Sequence, residues 1–158
     1  MNIASVGEST SGTSGGATTT PENVAYVYPL LQLADCSIRT DEMVTNKLFT
    51  LAESDASELF MAVGYFNLTN EYIESIVRRS RAKYSILLSS PEANGFHNAH
   101  GFSKNIPSIY SHYEEQFFKH FRKLERNIHL FEYRRDNWTF HAKGLWYYPP
   151  PTTHIQLQ

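Results

Sequence analysis

Residues 59–89 read LFMAVGYFNLTNEYIESIVRRSRAKYSILLS, and no other part of the chain constrains the architecture as strongly. The stretch begins with a short apolar run that ends at a Gly-Tyr-Phe-Asn turn, and it closes with a second apolar run rich in Ile and Leu. Between these runs, Thr69 or Asn70 can cap a helix with apolar side chains at helical spacing. A strand, a helix and a strand of these lengths are typical of a βαβ unit with parallel strands. The apolar stripe of the helix consists of Tyr72, Ile73, Ile76 and Val77.

The same alternation continues on both sides of this unit. Thr40 is predicted to cap a helix upstream, and the longest amphipathic pattern of the chain lies downstream. The predicted fold class is therefore α/β, with a mixed, mostly parallel sheet flanked by helices. The further predicted elements are helices at 40–53 and 106–126 and strands at 128–133 and 138–148, the two strands being joined by a tight polar connection.

The length of 158 residues leaves room for one domain. Residues 1–22, dominated by Ser, Thr and Gly, are predicted to form a disordered tail, residues 23–148 the folded part, and residues 149–158, which begin with three prolines, a second tail. No run approaches the ~18 apolar residues of a membrane span, and no mitochondrial presequence or secretory signal is recognisable. The single cysteine, Cys36, excludes an internal disulfide and a cysteine-based zinc site.

Charge is distributed unevenly along the chain. Residues 1–77 carry a net charge of -8 and residues 78–158 one of +6, so an anionic ligand is expected to meet the second half. The predicted helix at 106–126 also carries basic residues at i, i+3, i+4 and i+7, opposite its apolar face. They are interpreted as the solvated back of a core helix, as a contact with the anionic head groups of a membrane, or as both. These residues are Lys119, Arg122, Lys123 and Arg126.

The last predicted strand, expected at the centre of the sheet, contains the most unusual local arrangement, Thr139-Phe140-His141-Ala142-Lys143-Gly144-Leu145-Trp146. Alternation along a strand places His141 and Lys143 on one face, about 7 Å apart, and the small and apolar residues on the other. An imidazole beside an ammonium is favourable when an anion lies between them. Phosphate fits, because His can attack phosphorus or pass a proton to a leaving oxygen, and Lys can hold the phosphoryl oxygens. Alone, the His-x-Lys pattern also describes a hydrogen-bonded His and a solvated Lys on a partly exposed strand.

Two further groups of residues are candidates for a site. Tyr65 and Asn67 lie on the turn after a predicted strand, where parallel sheets commonly bind ligands, although Asn is also a common turn residue. His97 and His100 are spaced to hold a metal, but no carboxylate or cysteine cluster supports them, so they are interpreted as surface residues. No Gly-rich phosphate-binding loop precedes a helix, and neither a metal nor a cofactor is predicted.

Four segments together, in order and spacing, resemble the eukaryotic phosphatidylglycerophosphate synthases, a family of the phospholipase D superfamily. The resemblance covers roughly residues 26–148 and corresponds to the C-terminal half of those enzymes. Because four separate stretches agree in register, the match is far more specific than the His-x-Lys pattern alone. The segments are Gly64–Thr69, Ile86–Phe96, Gln116–Phe118 and Trp138–Trp146.

The resemblance implies a phospholipase D-like half-domain that acts in mitochondrial phospholipid biosynthesis. The family transfers a phosphatidyl group from CDP-diacylglycerol to glycerol 3-phosphate, with release of CMP, on the route to phosphatidylglycerol and cardiolipin. In the superfamily, two His-x-Lys motifs meet at one site, without a metal or another cofactor. One His is phosphorylated, and the other protonates the leaving group and then deprotonates the acceptor.

Carried onto this chain, the resemblance makes His141 the acid/base partner or the nucleophile, and Lys143 the group that holds the phosphate. Tyr65 and Asn67 are then expected to bind substrate. The wider superfamily has an acidic residue five positions after the Lys, where this chain has Tyr148, and the synthase family also tends to lack that acid.

The sequence holds a single His-x-Lys pattern, so the chain is interpreted as a truncated form of the enzyme. Activity then requires a homodimer or pairing with a full-length synthase, and an exposed apolar surface is expected. The mitochondrion is the location that the resemblance implies. The alternatives are an inactive half-domain that binds full-length synthase or anionic membrane, and a phospholipase D-type phosphodiesterase; nucleic acid is not an expected partner.

Overall fold

A computed structural model of the chain describes residues 25–53 and 57–151. Residues 25–30 form no helix or strand and are exposed, and they belong to a unit of their own. The second unit begins at Leu31 and contains all the elements described below. The predicted tail at 1–22 and residues 152–158 of the other predicted tail lie outside the described residues.

The second unit alternates strands and helices. A π-helical turn at Ser75–Arg79 extends the second helix, and short 3-10 turns occur at Ala34–Cys36, Pro91–Ala93 and Gly101–Asn105. No helix among the described residues is both long enough and apolar enough to cross a membrane. The elements are β1 (Gln32–Leu33), β2 (Ile38–Arg39), α1 (Thr40–Leu51), β3 (Glu58–Val63), α2 (Asn70–Glu74), β4 (Lys83–Ser89), α3 (Ile106–Lys123), β5 (Ile128–Tyr133) and β6 (Lys143–Tyr148).

The main sheet has the strand order β5-β4-β3-β6. Strand β4 pairs in parallel with both β3 and β5, whereas β6 pairs antiparallel with β3. The predicted mixed, mostly parallel sheet and the predicted βαβ unit are therefore confirmed. Strands β1 and β2 form a separate two-stranded antiparallel ribbon.

The strand that carries the His-x-Lys pattern differs from the prediction in extent and position. It begins at Lys143 rather than at Trp138, and it lies at an edge of the described sheet, not at its centre. Strands β5 and β6 are also not neighbours, because the chain between them crosses the carboxyl ends of β4 and β3. This crossing segment (residues 134–142) bonds to loops instead of to a strand ladder, so its extended residues are not part of the sheet.

The packed and the exposed faces of β6 are also the reverse of those expected. Leu145 and Tyr147, on the face of Lys143, pack against the core, whereas Trp146 and Tyr148 on the opposite face are about half exposed. The sequence pattern shows that two faces exist but not which one the helices cover. Lys143 therefore projects from the packed face at the point where the packing ends.

The structure confirms one of the two predicted helix caps, at Thr69, and not the other, at Thr40. The side chain of Thr69 accepts a hydrogen bond from the Tyr72 backbone N–H at 3.3 Å, which confirms the predicted cap of α2. Thr40 does not cap α1, because its hydroxyl is engaged with the backbone of Leu31 at 2.8 and 2.9 Å. The buried residue of α1 is Phe49.

Helix α3 buries a face that is rotated relative to its most apolar stripe. Phe117 and Phe121 lie in the core as predicted, but Tyr113 is 48% exposed, and Glu114 is buried next to it. Hydrophobicity places Tyr113 on the core face, whereas in the structure it borders a cavity between α2 and α3. The core under the helices also includes Leu59, Met61, Ile76, Val77, Tyr84, Ile86, Leu88 and Ile128.

The other face of the sheet remains open. Four large apolar or aromatic side chains on it are at least 40% exposed, and several of them line a shallow apolar depression. The predicted exposed apolar surface is therefore present, and we call it the open sheet face. Its exposed side chains are Phe60, Phe131, Trp146 and Tyr148.

Candidate active site

His141 and Lys143 meet at the carboxyl end of the sheet. His141 lies at the end of the crossing segment, and Lys143 is the first residue of β6, paired with Val63 at the end of β3. Lys143 Nζ lies 3.0 Å from His141 Nε2. An ammonium can only donate, so this contact fits an imidazole that accepts at Nε2 and carries its proton at Nδ1. Both side chains are exposed, so an anion from solvent can reach them.

Tyr65 forms the wall behind this pair. Its ring centroid lies 5.3 Å from that of His141 and 5.5 Å from Lys143 Nζ, within the range of a cation–π contact. Phe96 and Tyr110 also pack near this ring, at 5.7 and 5.5 Å between centroids. Of the two predicted residues of the turn after β3, Tyr65 is therefore the one beside the His-x-Lys pair.

Two backbone hydrogen bonds hold the crossing segment over the sheet. The Gly64 N–H donates to the Ala142 carbonyl at 3.0 Å, and the Phe140 N–H donates to the Ala93 carbonyl at 2.9 Å. A Cβ at Gly64 would lie 2.9 Å from the Phe140 carbonyl oxygen, so only glycine permits this approach. Sequence reasoning missed this role of Gly64, although a glycine directly after a strand is a usable signal of close backbone approach.

A polar cavity of about 780 Å³ lies beside the first part of the crossing segment, and neither His141 nor Lys143 lines it. Residues 92–99 form one side of it, and residues 134–139, the first part of the crossing segment, form the other. Arg134, Arg135 and His97 contribute basic groups, and the Arg135 guanidinium stacks 4.1 Å from the centroid of the Trp138 ring. Sequence reasoning took residues 134–137 for a tight strand connection and missed this wall. The two consecutive arginines were the available signal.

The charges on the wall of this cavity are balanced, because the two arginines are matched by two acids, Glu92 and Asp136. The pKa of Glu92 lies below its usual value, chiefly through hydrogen bonds to its own backbone and to Ser90, with smaller contributions from the charges of Arg134 and His97. The cavity therefore combines cationic, acidic, amide and aromatic groups, a set that suits a polar ligand.

Asn67 lies elsewhere. It is exposed and lines the cavity between α2 and α3, together with Phe66 and Phe117. Neither His141 nor Lys143 lines that cavity. The structure therefore separates two residues, Tyr65 and Asn67, that the sequence places on one turn. His97, interpreted as a surface residue, lies on the wall of the polar cavity, and His100 is exposed.

The four basic residues of the long helix have different surroundings. Lys119 pairs with Glu115 at 2.6 Å, and the Arg122 guanidinium lies 5.9 Å from the centroid of the Phe118 ring. Lys123 is exposed and lines the cavity between α2 and α3. Arg126 is only partly exposed, and its guanidinium donates to the backbone carbonyls of Arg78 and Ser80. Its position is thus explained by the fold alone.

Glu114 is the one strongly perturbed acid among the described residues. Burial raises the pKa of its carboxyl to about 7, and the negative charge of Glu132 adds to the increase. In the part of the chain that the structure describes, no group of three or more His, Cys, Asp and Glu side chains is arranged to hold a metal ion.

The sequence is similar to a group of mitochondrial enzymes. The chain is 48% identical over 130 residues to the mitochondrial CDP-diacylglycerol–glycerol-3-phosphate 3-phosphatidyltransferase of Gallus gallus, a match that covers 81% of this chain and 23% of that protein. The human protein of the same name is 46% identical over the same shares. The chain is homologous to phosphatidylglycerophosphate synthases. The relative in Schizosaccharomyces pombe is 34% identical over 79% of this chain and 26% of its own length.

The chain thus spans about a quarter of the length of the curated phosphatidylglycerophosphate synthases that it matches. Among solved structures, a phosphatidylserine synthase from Haemophilus influenzae superposes with a TM-score of 0.56 at 19% identity, over 66% of this chain and 25% of that one. This likeness concerns the fold alone. No family model matches the chain.

Proposed function

We propose that the chain takes part in the transfer of a phosphatidyl group from CDP-diacylglycerol to glycerol 3-phosphate, with release of CMP. The observation that carries the proposal is the 3.0 Å approach of His141 and Lys143, within a match of 48% identity to enzymes named for this reaction. The polar cavity beside the crossing segment has two arginines, one of them stacked on an indole, and these suit a phosphate group of either substrate.

The reaction proceeds in two displacements. A histidine nitrogen attacks the phosphorus that bears the diacylglycerol, the bond from phosphorus to the CMP oxygen breaks, and a second histidine gives a proton to that oxygen. The primary hydroxyl of glycerol 3-phosphate then attacks the phosphohistidine and loses its proton to the second histidine, so the enzyme is regenerated. His141 serves as this acid/base partner or, alternatively, as the nucleophile. Lys143 holds the phosphate, and Tyr65 binds the substrate beside it.

One imidazole cannot be nucleophile and proton donor in the same step. We therefore propose that a second histidine completes the site with His141, supplied by a second copy, by a longer synthase or by a further segment of the same polypeptide. The open sheet face supports association, because a contiguous exposed apolar surface on a small protein is unusual for a monomer. The same proposal places the chain at mitochondria, where the relatives are named as residing.

Peripheral contact with an anionic membrane belongs to the proposal as well. Lys119, Arg122 and Lys123 are exposed on the long helix, and each basic residue near an anionic surface contributes about 1 kcal/mol. Arg126 is not needed for this contact, since its guanidinium is bound to two backbone carbonyls.

The test is an assay of CMP release from CDP-diacylglycerol with glycerol 3-phosphate as acceptor. His141→Ala is expected to lower the rate by about 10²–10⁴-fold, the usual contribution of an acid/base group. Lys143→Ala should lower it by about 10²–10³-fold, as loss of a group that stabilises charge does. Lys47→Ala, an exposed lysine on α1, is the matched control.

Two outcomes would contradict the proposal. CMP release that survives His141→Ala would place the chemistry elsewhere. Lipid binding without any CMP release, in the presence of a longer synthase as well as alone, would favour a non-catalytic binding module.

A further inference from the structure

The proposed chemistry does not use the cavity between α2 and α3. It has a volume of about 630 Å³, within the range of about 300–1,000 Å³ that is typical of ligand pockets. We call it the α2–α3 groove. It extends along α3 from Tyr113 to Lys123, ten residues of helix or roughly 15 Å. Its walls include Asn67 but neither His141 nor Lys143.

The floor of the groove is apolar. Phe66 and Phe117 are almost wholly buried beneath it, and their rings meet edge to face at 5.2 Å between centroids. Ile73 and Leu68 border the floor from α2 and the loop before it, and both are only partly buried. A flexible hydrocarbon chain would remove this apolar surface from water, at about 25 cal/mol for each Å².

The rim of the groove is cationic at one end. Lys119, His120 and Lys123 come from consecutive turns at the C-terminal end of α3, and no acidic side chain of the described residues lines the groove. Lys119 forms an ion pair with Glu115, which does not line the groove. Lys123 has no ion pair among the described residues. Asn67 and Asn70 place amide groups at the other end. Apolar surface beside a one-sided cluster of positive charge suits an amphiphile with an anionic head.

We propose that the α2–α3 groove binds an anionic phospholipid, with the phosphate at Lys119, His120 and Lys123 and one acyl chain over Phe117 and Ile73. The inference goes beyond the transfer reaction, since this lipid need not react, and it does not depend on His141. It also goes beyond a surface contact with head groups, because it assigns the hydrocarbon chain a place inside the protein.

The probe is decyl phosphate, used below its micelle concentration with the full chain and followed by titration calorimetry. Octyl phosphate should bind about fifteenfold more weakly, because each buried methylene contributes about fourfold in affinity. Inorganic phosphate should bind far more weakly than either, which distinguishes a lipid site from a site for free phosphate. A neutral decyl glycoside tests whether the anionic head is required.

Two variants with matched controls locate the site. Tyr113→Asp puts a charge on the groove wall and should weaken decyl phosphate at least tenfold, whereas Tyr148→Asp, equally exposed but on the open sheet face, should not. Lys123→Gln should weaken binding severalfold and reduce its salt dependence, whereas Lys47→Gln should change neither. Circular dichroism checks that each variant is folded.

The remaining outcomes are equally decisive. Binding that His141→Ala leaves unchanged supports the groove even if the transferase proposal fails. Binding that is lost in His141→Ala but retained in Tyr113→Asp and Lys123→Gln would assign the probe to the reaction site and overturn the inference. Equal affinities for decyl phosphate, octyl phosphate and inorganic phosphate would overturn it as well.

Discussion

Gly64 allows a close approach of the backbone because it has no Cβ atom. The crossing segment passes so close to this residue that a Cβ would lie 2.9 Å from the Phe140 carbonyl oxygen and 3.4 Å from His141 Cα. Both neighbours are backbone atoms, which cannot move aside without shifting the segment that carries the imidazole. The position of His141 thus depends on a residue that has no side chain.

We expect Gly64→Ala to destabilise the protein by about 1–3 kcal/mol, the usual cost of forcing extra volume into a tight contact. Thermal unfolding measures this change. Gly95→Ala is the comparison, because a Cβ there would meet the Tyr65 hydroxyl at 2.7 Å, the far end of a side chain that can move. A smaller loss of stability is therefore expected for Gly95→Ala. Equal losses in the two variants would argue against a backbone clash at Gly64.

Glu114 should make stability depend on pH. Burial, with the charge of Glu132, raises the pKa of this carboxyl from 4.5 to about 7 in the folded state, so the folded protein holds the proton more tightly than the unfolded chain. The free energy of unfolding should therefore fall as pH rises from about 4.5 to about 7 and level off above, with a slope of up to about 1.4 kcal/mol per pH unit from this group.

Glu114→Gln should remove that slope. We expect the variant to unfold at a higher temperature than the original protein at pH 8 and to match it more closely at pH 5, because the amide resembles the protonated acid. Glu115→Gln, one residue along on the exposed side of α3, is the control. A pH 8 melting temperature that Glu114→Gln leaves unchanged would contradict the assignment.

At the scale of elements, Arg126 connects the end of α3 with the end of the turn that follows α2. Its guanidinium, just beyond the end of α3, donates to the carbonyls of Arg78 and Ser80, at the end of the π-helical turn that follows α2. Free carbonyls at a helix end need such donors, and a charged donor is a strong one. A residue that belongs by spacing to a basic helix face thus has a structural role.

We expect Arg126→Gln to lower stability by about 1–3 kcal/mol, since charged hydrogen bonds contribute more than neutral ones. Arg122→Gln, four residues earlier and exposed against the Phe118 ring, should cost less than about 0.5 kcal/mol. Urea unfolding of the two variants makes the comparison. Equal stabilities would show that the bonds of Arg126 to the carbonyls are unimportant.

The sequence predicted the local elements better than their arrangement. Strand β4 and the cap at Thr69 follow from short-range patterns, and so does the βαβ unit, because strand periodicity and helix caps are local properties. The edge position of β6 does not follow from such patterns. It depends on the antiparallel pairing of β6 with β3, more than 80 residues earlier, which leaves no signal in either segment alone.

In the candidate site, too, the local features were predictable from the sequence and the long-range ones were not. The approach of His141 to Lys143 was predictable from a spacing of two residues, whereas the wall formed by Arg134 and Arg135 was not, since it exists only where the crossing segment faces residues 92–99. The sequence also does not indicate that Tyr65 and Asn67 are separated in the structure. Tyr65 lies beside His141 and Lys143, whereas Asn67, two residues further on, lines the α2–α3 groove.

At the scale of the whole molecule, all three helices bury side chains in one core, and the open sheet face has no such cover among the described residues. Phe131 and Trp146 on that face are each at least half exposed, and both line the same apolar depression. Apolar surface of this kind favours association with another protein surface.

We expect the chain to self-associate at micromolar concentrations and Phe131→Glu to weaken this association at least tenfold, or by about 1.4 kcal/mol. Sedimentation equilibrium measures both constants. Phe102→Glu introduces the same charge at a side chain that is 80% exposed outside the sheet, so it should have no effect. A monomer at all concentrations, or equal effects of the two variants, would count against association through this face.

The hydrogen bonds of the crossing segment offer a way to detect ligand binding at the site. Its amide at Phe140 and the amide of Gly64 beneath it each form one inter-loop bond, and neither bond belongs to a strand ladder. If the segment detaches while the sheet stays intact, these two protons will exchange with deuterium sooner than those of β3 and β4. A bound phosphate ester that bridges His141 and Lys143 should slow both together, giving a readout of occupancy that requires no turnover.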